Sequence, residues 1–217
     1  MIVIDFSQIA DLGMLKDPRF LSCFENMSQR LSDDSEIEAT CIHEAAHFIY
    51  MENMGAKDFM FSGPKVTYVD GRFDAEAAHV LARDWKGLSV AIPAQMPDQV
   101  TDASALAAIF LAISKAFVAG GVARLKLTAK TDAGDSGDFD NFLTVLKNIC
   151  RTRNIDMSNS SALIPQFWEI GKTRVMKDLE DEAVQTRIRN KAKEIRPLLF
   201  VDVPLVALQN GDPRAPF

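Results

Sequence analysis

Two histidines four positions apart with a glutamate between them, His43-Glu44-Ala45-Ala46-His47, constrain this chain more than any other segment. On a helix, positions i and i+4 share one face. The pattern therefore predicts a helix whose two imidazoles grip a single metal ion, with the glutamate beside any water bound to it. Zinc suits such donors: it takes imidazole nitrogen, prefers a tetrahedron, and keeps a place for water when three protein groups coordinate. The whole chain has 3 histidines, so two of them in this spacing is a pointed use of a scarce residue. The plainer alternative is a helix carrying two partly exposed histidines and a surface glutamate.

The flanking residues favour the metal. Ser35 and Glu38 fit a capping box, and Asp33 and Asp34 add negative charge where a helix dipole is positive. Ile37, Cys41, Ile42, Ala45, Ala46, Phe48 and Ile49 form an apolar body, and Gly55 offers a stop. The predicted helix spans Ser35 to Met54. A buried helix that carries two histidines and a carboxylate needs a reason to bury them, and a metal supplies one.

At 217 residues, with 47% hydrophobic and 25% charged residues, the chain can build one substantial globular domain without disulfides. Its net charge of -6 argues against nucleic acid or an anionic membrane as a constitutive partner. Cys23, Cys41 and Cys150 form no close pair, which fits reduced, buried thiols and a cytoplasmic location. The opening Met1-Ile2-Val3-Ile4 run is too short for a signal peptide and is broken by Asp5. Ala103 to Ala123 is almost wholly apolar, yet Lys115 interrupts it. No membrane anchor is expected, and a helix buried on all sides of a helical domain explains the run.

Along the chain, a short extended piece (Ile2 to Phe6) leads to a helix over Asp17 to Leu31. After the histidine helix, Gly63-Pro64 introduces a strand, Lys65 to Val69, closed by the turn signal Asp70-Gly71. Asp74 to Trp85 reads as a short helix. Thr101-Asp102 caps the apolar helix, which Gly120-Gly121 closes. A polar loop precedes a helix over Asp138 to Arg151. Ser160-Ser161 opens a last long helix to Ile195 with Pro165 in its first turn, and an extended tail follows Pro197. Lys177 to Glu182 reads as a solvated helix face, and Trp85 and Trp168 as core or interface residues. The expected class is mostly α with a small β element.

A catalytic zinc site needs a third protein donor. His79, Glu76 and the acidic residues Asp132, Asp135, Asp138 and Asp140 all qualify, and spacing leaves the choice among them open.

The stretch Thr40-Cys41-Ile42-His43-Glu44-Ala45-Ala46-His47-Phe48 resembles the H-E-A-G-H zinc helix of the FtsH-type proteases, the ATP-dependent membrane-bound zinc peptidases. Three segments follow in that family's order. Pro64 to Arg72 resembles its edge strand of the form K-V-T-I-x-P-R-G, and Ala119-Gly120-Gly121-Val122-Ala123 resembles its G-G-R-x-A-E-E region. Ser136-Gly137-Asp138-Phe139-Asp140-Asn141-Phe142 resembles the S-N-D segment whose aspartate is the third zinc ligand. The resemblance covers residues 35–195, a helical zincin-like peptidase domain, with 1–34 as an N-terminal extension and 196–217 as an extended tail. It implies zinc held by His43, His47 and Asp138, with Glu44 as general base. His79 is then a satisfied or surface histidine. Ala46 replaces the family's glycine, and Ala-Arg-Leu replaces A-E-E. The chain shows no Walker motif, so ATP-driven unfolding is not expected of it.

The resemblance implies a zinc metallopeptidase acting on peptides or unfolded protein by a zinc-activated water, with Lys65 to Val69 as an edge to which an extended peptide adds. An ordinary edge strand closing a small sheet is the plainer reading of that stretch. Two other functions are open: a peptidase-derived binding or regulatory module that keeps the metal, and a zinc amidase for non-protein substrates. The apolar tail offers a surface for a homo-oligomer.

Overall fold

A computed structural model of the chain describes residues 3–4, 12–69, 71–84, 103–131, 135–152 and 163–200. The described part is mostly α with a small β component. Its helices are α1 (Pro18–Ser32), α2 (Asp34–Asn53), α3 (Ala103–Thr128), α4 (Asp135–Thr152), α5 (Leu163–Asp178) and α6 (Glu182–Leu199). Its strands are β1 (Val3–Ile4), β2 (Phe59–Ser62), β3 (Lys65–Val69), β4 (Arg72–Glu76) and β5 (His79–Ala82). Residue contacts divide the chain into two compact units: Met1–Cys41, Phe61–His79 and Lys193–Phe217 in one, Ile42–Met60 and Val80–Ala192 in the other.

The first unit is built on a three-stranded sheet in the order β1-β3-β4. The strand β3 runs antiparallel to β4 over its whole length, from Lys65 opposite Glu76 to Val69 opposite Arg72. The two-residue connection carries Asp70-Gly71, and Gly71 takes φ +78°, as a tight hairpin requires. On its other side Lys65 and Val66 pair in parallel with Val3 and Ile4. The predicted edge strand is therefore central. The predicted helix over Asp74 to Trp85 is also overturned: residues 72–76 and 79–82 are strands. Ala and Glu favour helix by only tenths of a kcal/mol per residue, which a full ladder and packing override. Phe73 of β4 meets Phe20 of α1 edge-on at 5.3 Å, and Phe20, Met27 and Val66 form the buried centre beneath them. The α1 helix starts where the sequence says: the Asp17 carboxylate accepts from Arg19 N at 2.8 Å, with Pro18 in the first position.

Helix α2 starts one step earlier than its sequence suggests. Asp33, not Ser35, is its cap, accepting from Ser35 N at 2.9 Å. Its end is a Schellman motif at Gly55 (φ +97°), with Gly55 N on Glu52 O and Ala56 N on Met51 O. From Glu44 to Met51 every residue is buried.

In the second unit α3 packs mainly on α5 and then on α4. By length and composition alone, Ala107–Thr128 could cross a membrane, but 56% of its most apolar window is buried. Burial is complete from Ala116 to Arg124, and partial over 107–112. Gly120-Gly121 does not close this helix, which runs on to Thr128 and ends at Ala129 with φ +56°. Each mid-helix glycine costs about 1 kcal/mol relative to alanine, and Gly120 has a packing reason, since a Cβ there would collide with side chains of α2. The crossing of α3 and α5 is close for the same kind of reason. A Cβ on Gly171 would collide with Ser114 Oγ, and that hydroxyl donates to Phe167 O at 2.6 Å.

The predicted last helix is two. The α5 helix stops at Asp178, residues 179–181 turn, and Asp181 caps α6 by accepting from Ala183 N at 2.8 Å. The acidic run read as a solvated helix face is this break, where side-chain caps compete with helix continuation. The α6 helix then carries Pro197 inside it and ends at Leu199, beyond the predicted Ile195. Trp168 is core, as predicted, while Trp85 and the tail beyond Phe200 lie outside the described residues.

Candidate metal centre

His43 and His47 stand one turn apart on α2, and their Nε2 atoms are 2.9 Å apart. The third group comes from the first turn of α4: Asp138 Oδ2 lies 3.3 Å from His47 Nε2 and 3.5 Å from His43 Nε2. Their side chains are 12%, 6% and 19% exposed for His43, His47 and Asp138, so the cluster is shielded but not sealed. Among the described residues these three form a group able to hold a metal ion. Donors on a tetrahedron with bonds of about 2.0–2.1 Å are separated by roughly 3.3 Å. The three separations bracket that value, and the donor set of two imidazoles and one carboxylate is one zinc accepts.

The two histidines are set by α3 and the aspartate by α4. His47 Nδ1 is 2.8 Å from Ala116 O, in the middle of α3. A carbonyl only accepts, so Nδ1 carries a proton and Nε2 is the nitrogen left facing the cluster. Gly120, one turn further along α3, lies against both rings, and a Cβ there would collide with His43 Nε2 and His47 Nε2. Asp138 is held by its own helix. The next residue, Phe139, meets the Trp168 ring edge-on at 5.1 Å, and Phe142 lies 5.4 Å from the same ring.

The electrostatics favour positive charge on His47. Burial opposes charge on His47, yet the carboxylate of Asp138, its hydrogen bond and Glu44 outweigh that and push the pKa up to about 10. The pocket thus stabilises positive charge where the three donors meet.

Glu44 is 6% exposed. Burial raises its pKa above the ordinary carboxylate range, and the nearby histidines and the Val80 N–H hold it back. One carboxylate oxygen, Oε2, accepts from Val80 N of β5 at 2.7 Å, which leaves Oε1 directed to the cluster, 3.7 Å from His43 Nε2.

Among the described residues, the other candidate donors, His79 and Asp140, do not join. His79 Nδ1 lies 3.3 Å from Ala77 O and is outside the converging group. Asp140 is exposed, while the side chains of Glu76, Asp132 and Asp135 lie outside the described residues. Sequence reasoning missed Gly120, Ala116 and Val80. A glycine inside a long apolar helix is a signal of close approach and could have found the first. Ala116 and Val80 act through backbone groups, which leave no trace in residue type.

No protein-family model, curated protein or solved structure matches this chain. The geometry of the cluster carries the functional reading.

Proposed function

We propose that the chain is a zinc-dependent peptidase resembling the FtsH-type peptidase domain, zincin-like in its helix, whose chemistry runs without ATP. The observation that carries this reading is the convergence of His43, His47 and Asp138 with Glu44 held beside them. A zinc ion bound by these three donors would supply the Lewis acid that brings a water toward neutral pKa and polarises a peptide carbonyl.

The chain's own groups do the rest. Glu44 accepts the proton of the attacking water at Oε1 and delivers it to the departing amine nitrogen. Its burial suits it to this, since a carboxylate held above its ordinary pKa takes a proton more readily near neutrality. Val80 N–H fixes the other oxygen, so the base does not rotate out of line. His47 presents Nε2 to the metal position because Nδ1–H is engaged by Ala116, and a bound ion would take the place of the Nε2 proton.

A peptide substrate needs an edge, and β3, central in its sheet, does not offer one along Lys65 and Val66. The β5 strand fits better. It pairs with β2, and just past it Arg83 N donates to Asp58 O at 2.7 Å on that side. Strand alternation then turns Val80 and Ala82 to the opposite edge, the one that meets Glu44. An extended peptide added there by main-chain hydrogen bonds would lie beside the base. Unfolded protein or flexible peptide in the cytoplasm is the matching substrate class.

Glu44→Gln is expected to retain zinc and lose about 10²–10⁴-fold in kcat on an unfolded protein such as casein, the range general acid–base catalysis contributes. Metal analysis beside the rate measurement checks it. Undiminished turnover in that variant would remove the mechanism, and zinc without turnover in the wild type would favour a metal-holding binding module.

A further inference from the structure

A lysine in the apolar run of α3 has no part in this hydrolytic chemistry, yet it sits immediately before Ala116, whose carbonyl holds His47. Lys115 Nζ is 2.6 Å from Asp178 Oδ2, at the last residue of α5. The same oxygen accepts from Tyr50 OH at 2.9 Å. Tyr50 follows His47 by three residues on α2, and the Lys115 ammonium lies 5.4 Å from the Tyr50 ring centroid. One carboxylate oxygen thus ties together α2, α3 and α5.

We infer that Lys115, Asp178 and Tyr50 form a clamp that positions the metal centre, setting the register of α3 against α2 so that Ala116 O meets His47 Nδ1–H. This rests on the reading of His43, His47 and Asp138 as a metal centre. The register has little slack in either direction. The Ala116 contact is a hydrogen bond of 2.8 Å, which weakens steeply if α3 slides away. Gly120 already touches both imidazoles, so α3 has no room to move inward. The remaining side of α3 is fixed to α5 by Ser114 seated on Gly171. That contact locks α3 to α5 but leaves α2 untouched. Tyr50 and Lys115 supply the missing tie. They act from outside the cluster: the Lys115 and Asp178 side chains are 28% and 35% exposed, and neither is one of the converging donors. All three are positioning residues.

The clamp also explains why a charged residue sits within the apolar run of this helix. A partly exposed pair contributes little to stability on average, and replacing an ion pair by apolar residues of similar volume is often neutral. A pair aimed at one atom of a third helix fixes direction, which apolar packing alone does not.

The test uses the full chain, stripped of metal and titrated with zinc against a chromophoric chelator, for the wild type, Lys115→Met, Lys115→Arg and Tyr50→Phe. The thermal midpoint of each metal-free protein is recorded alongside. Lys115→Met is expected to weaken zinc binding about 10-fold, the lower end of the loss seen when a direct partner of a metal ligand is removed, since Ala116 O itself stays in place. Lys115→Arg should restore most of it, and Tyr50→Phe should show a smaller loss in the same direction. Variants that bind zinc as tightly as the wild type overturn the clamp, whatever their midpoints, and reduce the network to a structural contact. If Lys115→Met does not fold, Tyr50→Phe decides alone. A wild type that takes up no zinc overturns the metal centre itself and the clamp with it, a result distinct from equal binding by all four proteins.

Discussion

At His43 and His47 the chain brings three electron-pair donors within 2.9–3.5 Å of one another, whereas one turn along α2, at Tyr50, it brings a hydroxyl and an ammonium onto a single carboxylate. The second cluster is complete in itself: cation, anion and hydroxyl balance, and its two charged groups are partly open to water. The first gathers acceptors in a buried place and is balanced only by something positive, a proton or a metal ion. Burying such groups together without a counter-charge is costly. The contrast separates polar clusters that hold a fold from those that hold a ligand, and it does so by the sign of what converges.

The sharpest way to break this contrast is at a donor. His47→Ala removes one of the three and is expected to reduce zinc in the purified protein from one equivalent to background by metal analysis. Stoichiometric zinc in that variant would place the ion elsewhere. Gly120→Ala comes next. Alanine gains about 1 kcal/mol in helix propensity, but its Cβ meets both imidazoles, and overpacking of this kind costs about 1–3 kcal/mol. A net fall in urea stability together with weakened zinc binding is expected. A more stable variant with unaltered zinc affinity would mean that the rings have room to move. The smallest effect belongs to Asp181→Ala, which removes the cap of α6 and is expected to cost about 1 kcal/mol with no change in zinc affinity. It serves as the control in which stability falls and the metal centre does not notice.

How much of this can be read from the chain depends on where each signal lives. His43, Glu44 and His47 declare themselves because helix periodicity fixes which side chains share a face. Gly55 and Asp17 announce a helix end and start through their own backbone and side-chain chemistry, and both are found at those places. Spacing leaves Asp138 among several acids, and only the folding of α4 against Trp168 brings it to the rings. Residues 72–82 mislead because their Ala and Glu content speaks for helix while the pairing with β3 and β2 overrides it. The Asp70-Gly71 signal is the better guide, since it specifies a hairpin and hence a strand after it. The break at 179–181 escapes notice because charged residues suit a helix surface and a cap equally well. Backbone contributions, from Ala116 and Val80, cannot be seen in residue types at all.

The short strand at the start of the chain has a practical consequence. Val3 and Ile4 occupy the main-chain groups of Lys65 and Val66 on one flank of β3. Deleting the first four residues would bare that flank and turn an inner strand into a sticky border, to which a neighbouring copy could join. Expression designs that trim the leading residues invite self-association there, and an affinity tag is safer added ahead of Met1 than put in place of Val3 and Ile4.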